Sequence, residues 1–253
     1  MVVCPGVAEA PGNDGARRIQ PVGKSMVDMS KTKRWNAILI ALALILGTQG
    51  TLAQEVAAID TSGEAVGAAE AGSPVPTVER FHAGLLDIMK HAKELGFEGR
   101  IDRLAPLMGE VFDLDFMASK TVGRYWGKLS DADKKRWAET FTRFTTANYA
   151  GRFTGYTGEE FVTLGVEDAA RDTRLVLTKI VVPNDEDVQL NYRLMEREGE
   201  WRIIDVYLNG TVSELALRRS EYSSALKRDG FEQLVASIET KIADLKEKGK
   251  TEG

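Results

Sequence analysis

Apolar positions recur every three or four residues in two parts of this chain, and every second residue in the part between them. In residues 77–95, Val78, Phe81, Leu85, Ile88, Met89 and Ala92 fall on one helical face. Thr77 stands where an N-cap would, and Gly96 and Gly99 are expected to end the helix. Short helices are predicted over 101–112 and 115–123. A strong helix is predicted from Ser130, with Asp133 three residues on as a near capping box and Trp137, Phe141, Phe144, Thr145 and Tyr149 as its buried stripe. From Glu160 the period becomes two, giving four strands at 160–167, 172–182, 187–197 and 200–208. Turns at Asn184-Asp185-Glu186 and Glu198-Gly199 are short enough to make the later strands antiparallel. In the third strand, Val188, Leu190, Tyr192 and Leu194 face one way and Gln189, Asn191 and Arg193 the other, so one face is covered and one wet. Asn209-Gly210 then turns the chain into a helix that stops at Asp229-Gly230. A last helix carries Phe231, Leu234, Val235, Ile238, Ile242 and Leu245 on one stripe. Helices, then a meander, then helices predict an α+β fold: a curved antiparallel sheet of about four strands flanked by N- and C-terminal helices.

The first 76 residues follow none of these periods. Lys31, Lys33 and Arg34 precede a short apolar run at 37–46, and Thr51-Leu52-Ala53 supplies a small-x-small end. That order predicts a cleaved secretory signal peptide at 29–53. The apolar run is too short to span a bilayer, which takes about 20 residues. Met26 or Met29 is the more natural start, which leaves 1–28 as either a misread upstream start or an unstructured extension. Residues 54–76, rich in Ala, Gly, Glu and Ser, read as a flexible lead-in to one domain at 77–253.

Removing the leader changes the charge and the chemistry. The whole chain has 33 Lys and Arg against 38 Asp and Glu. Residues 1–53 hold six of the former and three of the latter, so the remainder carries 27 against 35, a net charge of −8. An acidic chain without a basic stripe is not built for nucleic acid. The single cysteine, Cys4, leaves with the leader, so no disulfide, thiol nucleophile or thiolate metal site is expected.

Catalytic patterns are absent as well. His82 and His91 lie nine residues apart on one predicted helix, on opposite faces, and both read as surface or rim residues that share no metal. The run from Gly123 to Ser130 has the wrong glycine spacing for a phosphate loop and no strand before it. Asp113 and Asp115 suit a helix start, and the acidic stretch at 184–187 lacks the ligand spacing of a calcium loop. No nucleophile elbow occurs. No cofactor, metal or enzymatic activity is expected.

The stretch WRIIDVYLNGTVSELALRRSEYSSALKRDGFEQL, residues 201–234, is the most distinctive in the chain. Its Trp201, Asp205, Val206, Gly210, Val212, Ser213, Arg219, Ser220, Tyr222, Leu226 and Gly230 resemble the C-terminal signature of the MlaC, or toluene-tolerance, family. A second block agrees: Gly123-Arg124-Tyr125-Trp126, then Ser130, Arg136, Phe141, Phe144 and Tyr149. The resemblance covers residues 77–245 and is strongest to the hopanoid-associated HpnM subgroup. Arg218 stands where a Tyr is usual in other members.

The resemblance implies a periplasmic lipid carrier, for phospholipid or hopanoid, working between membrane-bound components of an ABC-type transport system. It implies a cone-shaped, NTF2-like fold around a hydrophobic cavity. Lipid tails would then meet the covered sheet face and the facing helices: Phe81, Leu85, Met89, Phe144, Tyr149, Leu190, Tyr192, Ile203, Tyr207, Val212 and Leu215. Arg219 is read on the inward stripe of Val212, Leu215, Tyr222 and Leu226, where it either pairs with a carboxylate such as Asp205 or contacts a lipid head group. Residue pattern alone leaves other readings open. They are a small-ligand NTF2-like module or enzyme, a hopanoid-biosynthesis accessory without transport role, and an adaptor for other envelope proteins.

Overall fold

The computed structural model describes residues 72–251. The expected extension at 1–28, the signal peptide at 29–53 and most of the 54–76 lead-in lie outside the described residues.

Helix α1 spans Val75–Lys90, starting earlier than the pattern predicted. Pro76 sits in its first turn, where a missing N–H costs nothing. Ser73, not Thr77, serves the first amide: Val75 N donates to Ser73 Oγ at 3.3 Å. Thr77 is already inside the helix, and its hydroxyl donates to the Trp201 carbonyl at 3.1 Å. The Trp201 indole in turn donates to the Gly72 carbonyl at 2.7 Å, so the chain is tied to the sheet from Gly72 onward.

Helix α2, Ala92–Val111, changes direction at Gly96, whose φ of 60° suits glycine. Gly99 does not break it, and the segment expected as a separate helix over 101–112 belongs to α2. Arg100 is buried beside the kink and donates to the carbonyls of Ala150 (2.8 Å) and Ala92 (3.0 Å). Asp113 caps α3, Leu114–Thr121, by accepting from Phe116 N at 2.9 Å. A 3-10 turn follows at Gly123–Lys128. Helix α4, Asp131–Arg152, begins with the expected capping box: Ser130 Oγ accepts from Asp133 N (3.1 Å) and donates to Asp133 Oδ2 (2.7 Å). Trp137, Phe141, Phe144 and Tyr149 are buried as predicted, but Thr146 and Ala147 face the core beside them instead of Thr145.

Among the described residues, five strands form one antiparallel sheet in the order β1-β2-β3-β4-β5: β1 Glu160–Ala169, β2 Thr173–Val181, β3 Val188–Arg197, β4 Glu200–Leu208 and β5 Val212–Ser213. The two-residue β5 was not expected, because Asn209-Gly210 reads as a turn straight into helix. Glu198 (φ 55°) and Gly199 (φ 79°) make the tight β3–β4 turn, both with positive φ as a primed hairpin turn requires.

Register matters for the interior. Arg193 pairs with Asp205 but Leu194 pairs with Ile203, so Ile204 is an extra residue in β4. A bulge of this kind reverses the alternation. Ile203, Val206 and Leu208 therefore oppose Leu194, Tyr192 and Leu190 on the inner face, while Tyr207 opposes Asn191 on the outer face. The outer face is also less wet than predicted. Asn191 is buried, and its Oδ1 accepts from Thr178 N at 3.1 Å, while the Thr178 hydroxyl donates to the Leu190 carbonyl.

Helix α5, Glu214–Thr251, breaks at Gly230 (φ 83°), where the pattern placed the end of one helix and the start of the next. It packs most extensively on α4. Arg136–Glu232 (2.7 Å) and Arg143–Glu239 ion pairs lie along that seam. The inner sheet face and the apolar stripes of all five helices meet in one continuous buried cluster.

Candidate functional site

The inner face of the sheet and the helices above it enclose the part of the molecule to which the sequence assigned function. Phe81 of α1 is its centre. Its ring meets Phe112 edge-on at 4.9 Å, Tyr149 at 5.6 Å and Tyr192 at 6.0 Å. Tyr149 stacks on Phe153 at 5.7 Å. Such pairs add stabilisation beyond the area they bury. Of the predicted site residues, Phe81, Leu85, Met89, Phe144, Tyr149, Leu190, Tyr192 and Ile203 are all buried in this one cluster.

The remaining predicted residues lie elsewhere. The Ile204 bulge puts Tyr207 on the outer face. Leu215 is half-buried against the cluster. Val212 is 47% exposed and does not belong to an inward stripe. Arg219 is exposed as well, and no bond joins it to Asp205. The inward arginine is its neighbour Arg218, 8% exposed, held by Glu221 (3.2 Å) and Glu214 (3.6 Å) and lying 5.2 Å over the Phe144 ring. Asp205 is instead a structural carboxylate. It accepts from Val206 N (2.8 Å), Leu215 N (3.0 Å) and Ser213 Oγ (2.6 Å), and so fixes the start of α5. Burial raises its carboxyl above the ordinary range against the pull of these bonds.

The sequence reading also places His82 wrongly. It is 5% exposed, stacks on Phe161 at 4.4 Å, and its Nε2 lies 3.0 Å from the Tyr192 hydroxyl. Burial pushes its imidazole down to about 3, so the ring is neutral at physiological pH. Its signal was present: His82 lies four residues after Val78 and three before Leu85, on the apolar stripe. His91, by contrast, is exposed. Burial also raises the hydroxyls of Tyr149, Tyr192 and Tyr222 above the ordinary tyrosine range. The Tyr222 hydroxyl has no hydrogen-bond partner among the described residues. It sits on the Arg218 side of the core, its ring edge-on to Trp137 at 5.3 Å.

The chemistry of this interior is therefore apolar with a few polar groups, and its buried ionisable side chains Arg100, Asp205 and Arg218 are engaged by backbone groups or by side-chain partners. Among the described residues, no three His, Cys, Asp or Glu side chains gather as a metal site would need. No described helix is long and apolar enough to cross a membrane. Outside the interior, a groove of about 790 Å³ runs along α4, walled by Asp115, Trp126, Lys134, Lys135, Ala138, Glu139, Thr142 and Arg143.

Comparison with known proteins adds two findings. The fold is similar to that of a phospholipid-binding protein from Ralstonia solanacearum, solved in complex with a phospholipid: TM-score 0.58, 20% sequence identity, covering 70% of this chain and 99% of that one. No curated protein matches the chain. A family model for the MlaC protein matches residues 79–240, so the chain belongs to the MlaC protein family.

Proposed function

We propose that this protein is a periplasmic lipid carrier that holds lipid tails between α1, α4 and the inner face of β3 and β4. The observation that carries the reading is the unbroken apolar interior around Phe81, in a fold similar to one solved with a phospholipid. Phe81, Leu85, Met89, Phe144, Tyr149, Leu190, Tyr192 and Ile203 are the tail contacts on this reading, and Leu215 lies at the edge. The charged groups near them are already engaged: Arg218 by two glutamates and Asp205 by the α5 cap. Such an interior suits binding more than catalysis, and the protein acts without cofactor or metal. Its leader at 29–53 directs it to the periplasm, where membrane-bound components of an ABC-type system load and unload it. Arg218 in place of the family's usual Tyr favours the hopanoid-associated subgroup and a hopanoid cargo over a phospholipid.

Native mass spectrometry of the purified protein tests this. A lipid-sized adduct is expected, and extraction followed by lipid mass analysis names it. Leu190→Arg, which puts a charge at the centre of the inner face, should remove the adduct from protein that still folds. Leu190→Ala is the milder partner: truncation in a tightly packed core costs ~2–5 kcal/mol, and at a yielding lipid-lined wall less. Wild-type protein free of lipid, or folded Leu190→Arg with a full complement, overturns the reading.

A further inference from the structure

One exposed cluster plays no part in the interior: the 3-10 turn Gly123–Lys128 with its neighbours. Lys120, Arg124 and Lys128 are exposed around it, and Tyr125 and Trp126 are half-exposed between them. Arg124 and Lys128 flank the Tyr125 ring at 5.3 and 5.9 Å, and Lys120 lies 4.8 Å from the Phe116 ring. Arg219 reaches the same turn from α5. A Cβ on Gly123 would lie 3.0 Å from Arg219 Nε, and Gly123 has a φ of 53°. Only glycine combines that backbone angle with so close an approach. The turn is thus shaped to hold Arg219 beside the other three cations.

None of these four cations meets a carboxylate among the described residues. On adjacent α4 the arrangement is the reverse: Lys134 is paired with Asp131, Arg136 with Glu232 and Arg143 with Glu239. Internally paired cations offer little to a partner, because their charge is already compensated. Four unpaired ones on a chain of net negative charge form a local positive field. Tyr and Trp among them supply amphipathic rings of the kind enriched at the membrane–water interface.

We propose that this turn docks the protein on an anionic lipid bilayer. Arg124, Lys128 and Arg219 would contact lipid phosphates, and Trp126 would settle at head-group depth. Tyr and Trp suit a protein interface as well, but cations and amphipathic rings interleaved on one short turn meet lipid phosphates and the head-group layer at once, so the bilayer is the better fit. This inference extends the carrier reading, since docking would bring the protein to its donor or acceptor membrane. It does not depend on the interior holding lipid.

Co-sedimentation tests it, using the purified protein with vesicles of phosphatidylcholine alone or with 30 mol% phosphatidylglycerol, at ~0.1 and ~0.5 M salt. Binding is expected only to the anionic vesicles and only at the lower salt. Each cation near such a surface strengthens binding about fivefold. The triple variant Arg124→Gln, Lys128→Gln, Arg219→Gln should therefore bind about a hundredfold more weakly. Trp126→Ala should weaken binding without changing its salt dependence. All three basic residues are exposed, and a thermal melt checks the fold. Should the triple variant melt early, the Arg124→Gln, Lys128→Gln pair takes its place with about a 25-fold loss. Equal binding to neutral vesicles, or undiminished binding by the folded variant, overturns the proposal. So does loss of an acidic protein partner with vesicle binding intact. Adducts in native mass spectra are read separately: a variant that carries lipid but no longer binds vesicles separates docking from cargo. Wild-type protein that binds vesicles but carries no lipid would sink the carrier reading alone.

Discussion

Replacing His82 by Gln should flatten the acid side of the stability curve. Gln keeps a polar atom for the Tyr192 hydroxyl, 3.0 Å from His82 Nε2, but cannot take up a proton. In the folded protein the imidazole is pushed down by burial from 6.5 to about 3. A depressed value means that its contribution to stability is complete above pH ~6.5 and is lost as pH falls toward ~3. The unfolded chain protonates the ring over that window and the folded chain does not. At ~1.4 kcal/mol per pH step, the full effect is on the order of 5 kcal/mol, of which about 2 kcal/mol is felt by pH 5. Wild-type protein should therefore lose about 2 kcal/mol more than His82→Gln between pH 7 and pH 5. For a domain of this size that is a melting-temperature difference of roughly 4–8 °C. Urea titrations at pH 7, 6 and 5, followed by tryptophan fluorescence, measure both proteins under the same conditions. His91 and the carboxylates are common to both and cancel. Equal losses in the two proteins would mean that His82 is charged or hydrated in the folded state, and the account of its burial would fail.

Two further substitutions test the frame around the interior. Asp205→Ala leaves the Leu215 amide and the Ser213 hydroxyl without their acceptor, and should cost about 3 kcal/mol in urea titrations. Asp205→Asn keeps an acceptor and should cost less; because burial raises the native carboxyl, wild-type protein loses stability as pH rises through that value, so its advantage over the Asn variant should narrow from pH 3.5 to pH 7. Ser130→Ala removes the α4 cap and should cost about 1 kcal/mol in the same titrations.

The sequence exposed the elements more clearly than their faces. All four long strands were legible because period-two alternation and the Glu198-Gly199 turn are local signals. The α4 start was legible because Ser130 and Asp133 are a local pair. The inner face of β4 was not, because a single bulge at Ile204 turns Tyr207 outward, and nothing in the residues from Trp201 to Leu208 marks it. The inward arginine was missed for a related reason. From Leu215, both Arg218 and Arg219 are at helical neighbour spacing. Phe144 on α4 and the flanking Glu214 and Glu221 decide between them, and those contacts depend on tertiary packing. His82 followed the stripe rule and was passed over because its residue type suggested a surface position.

Those two arginines bear differently on how a carrier of this build would work. Lipid tails of ~30 methylenes gain on the order of 24 kcal/mol from leaving water, at ~0.8 kcal/mol each. A bilayer already provides that stabilisation, so the protein interior gains little net by extracting a lipid. What the chain can supply is a dry interior during transit and a short path at the membrane. Arg218, compensated by Glu214 and Glu221, adds no net attraction for an anionic head group. Arg219, which lies against Gly123 and meets no carboxylate among the described residues, would do so on the docking proposal. On the carrier reading, attraction to the membrane and retention of cargo therefore belong to neighbouring residues of one helix, of which Arg218 is buried and Arg219 exposed. A carrier needs that separation, because a charge that both held the cargo and bound the membrane would oppose release at one end of the journey.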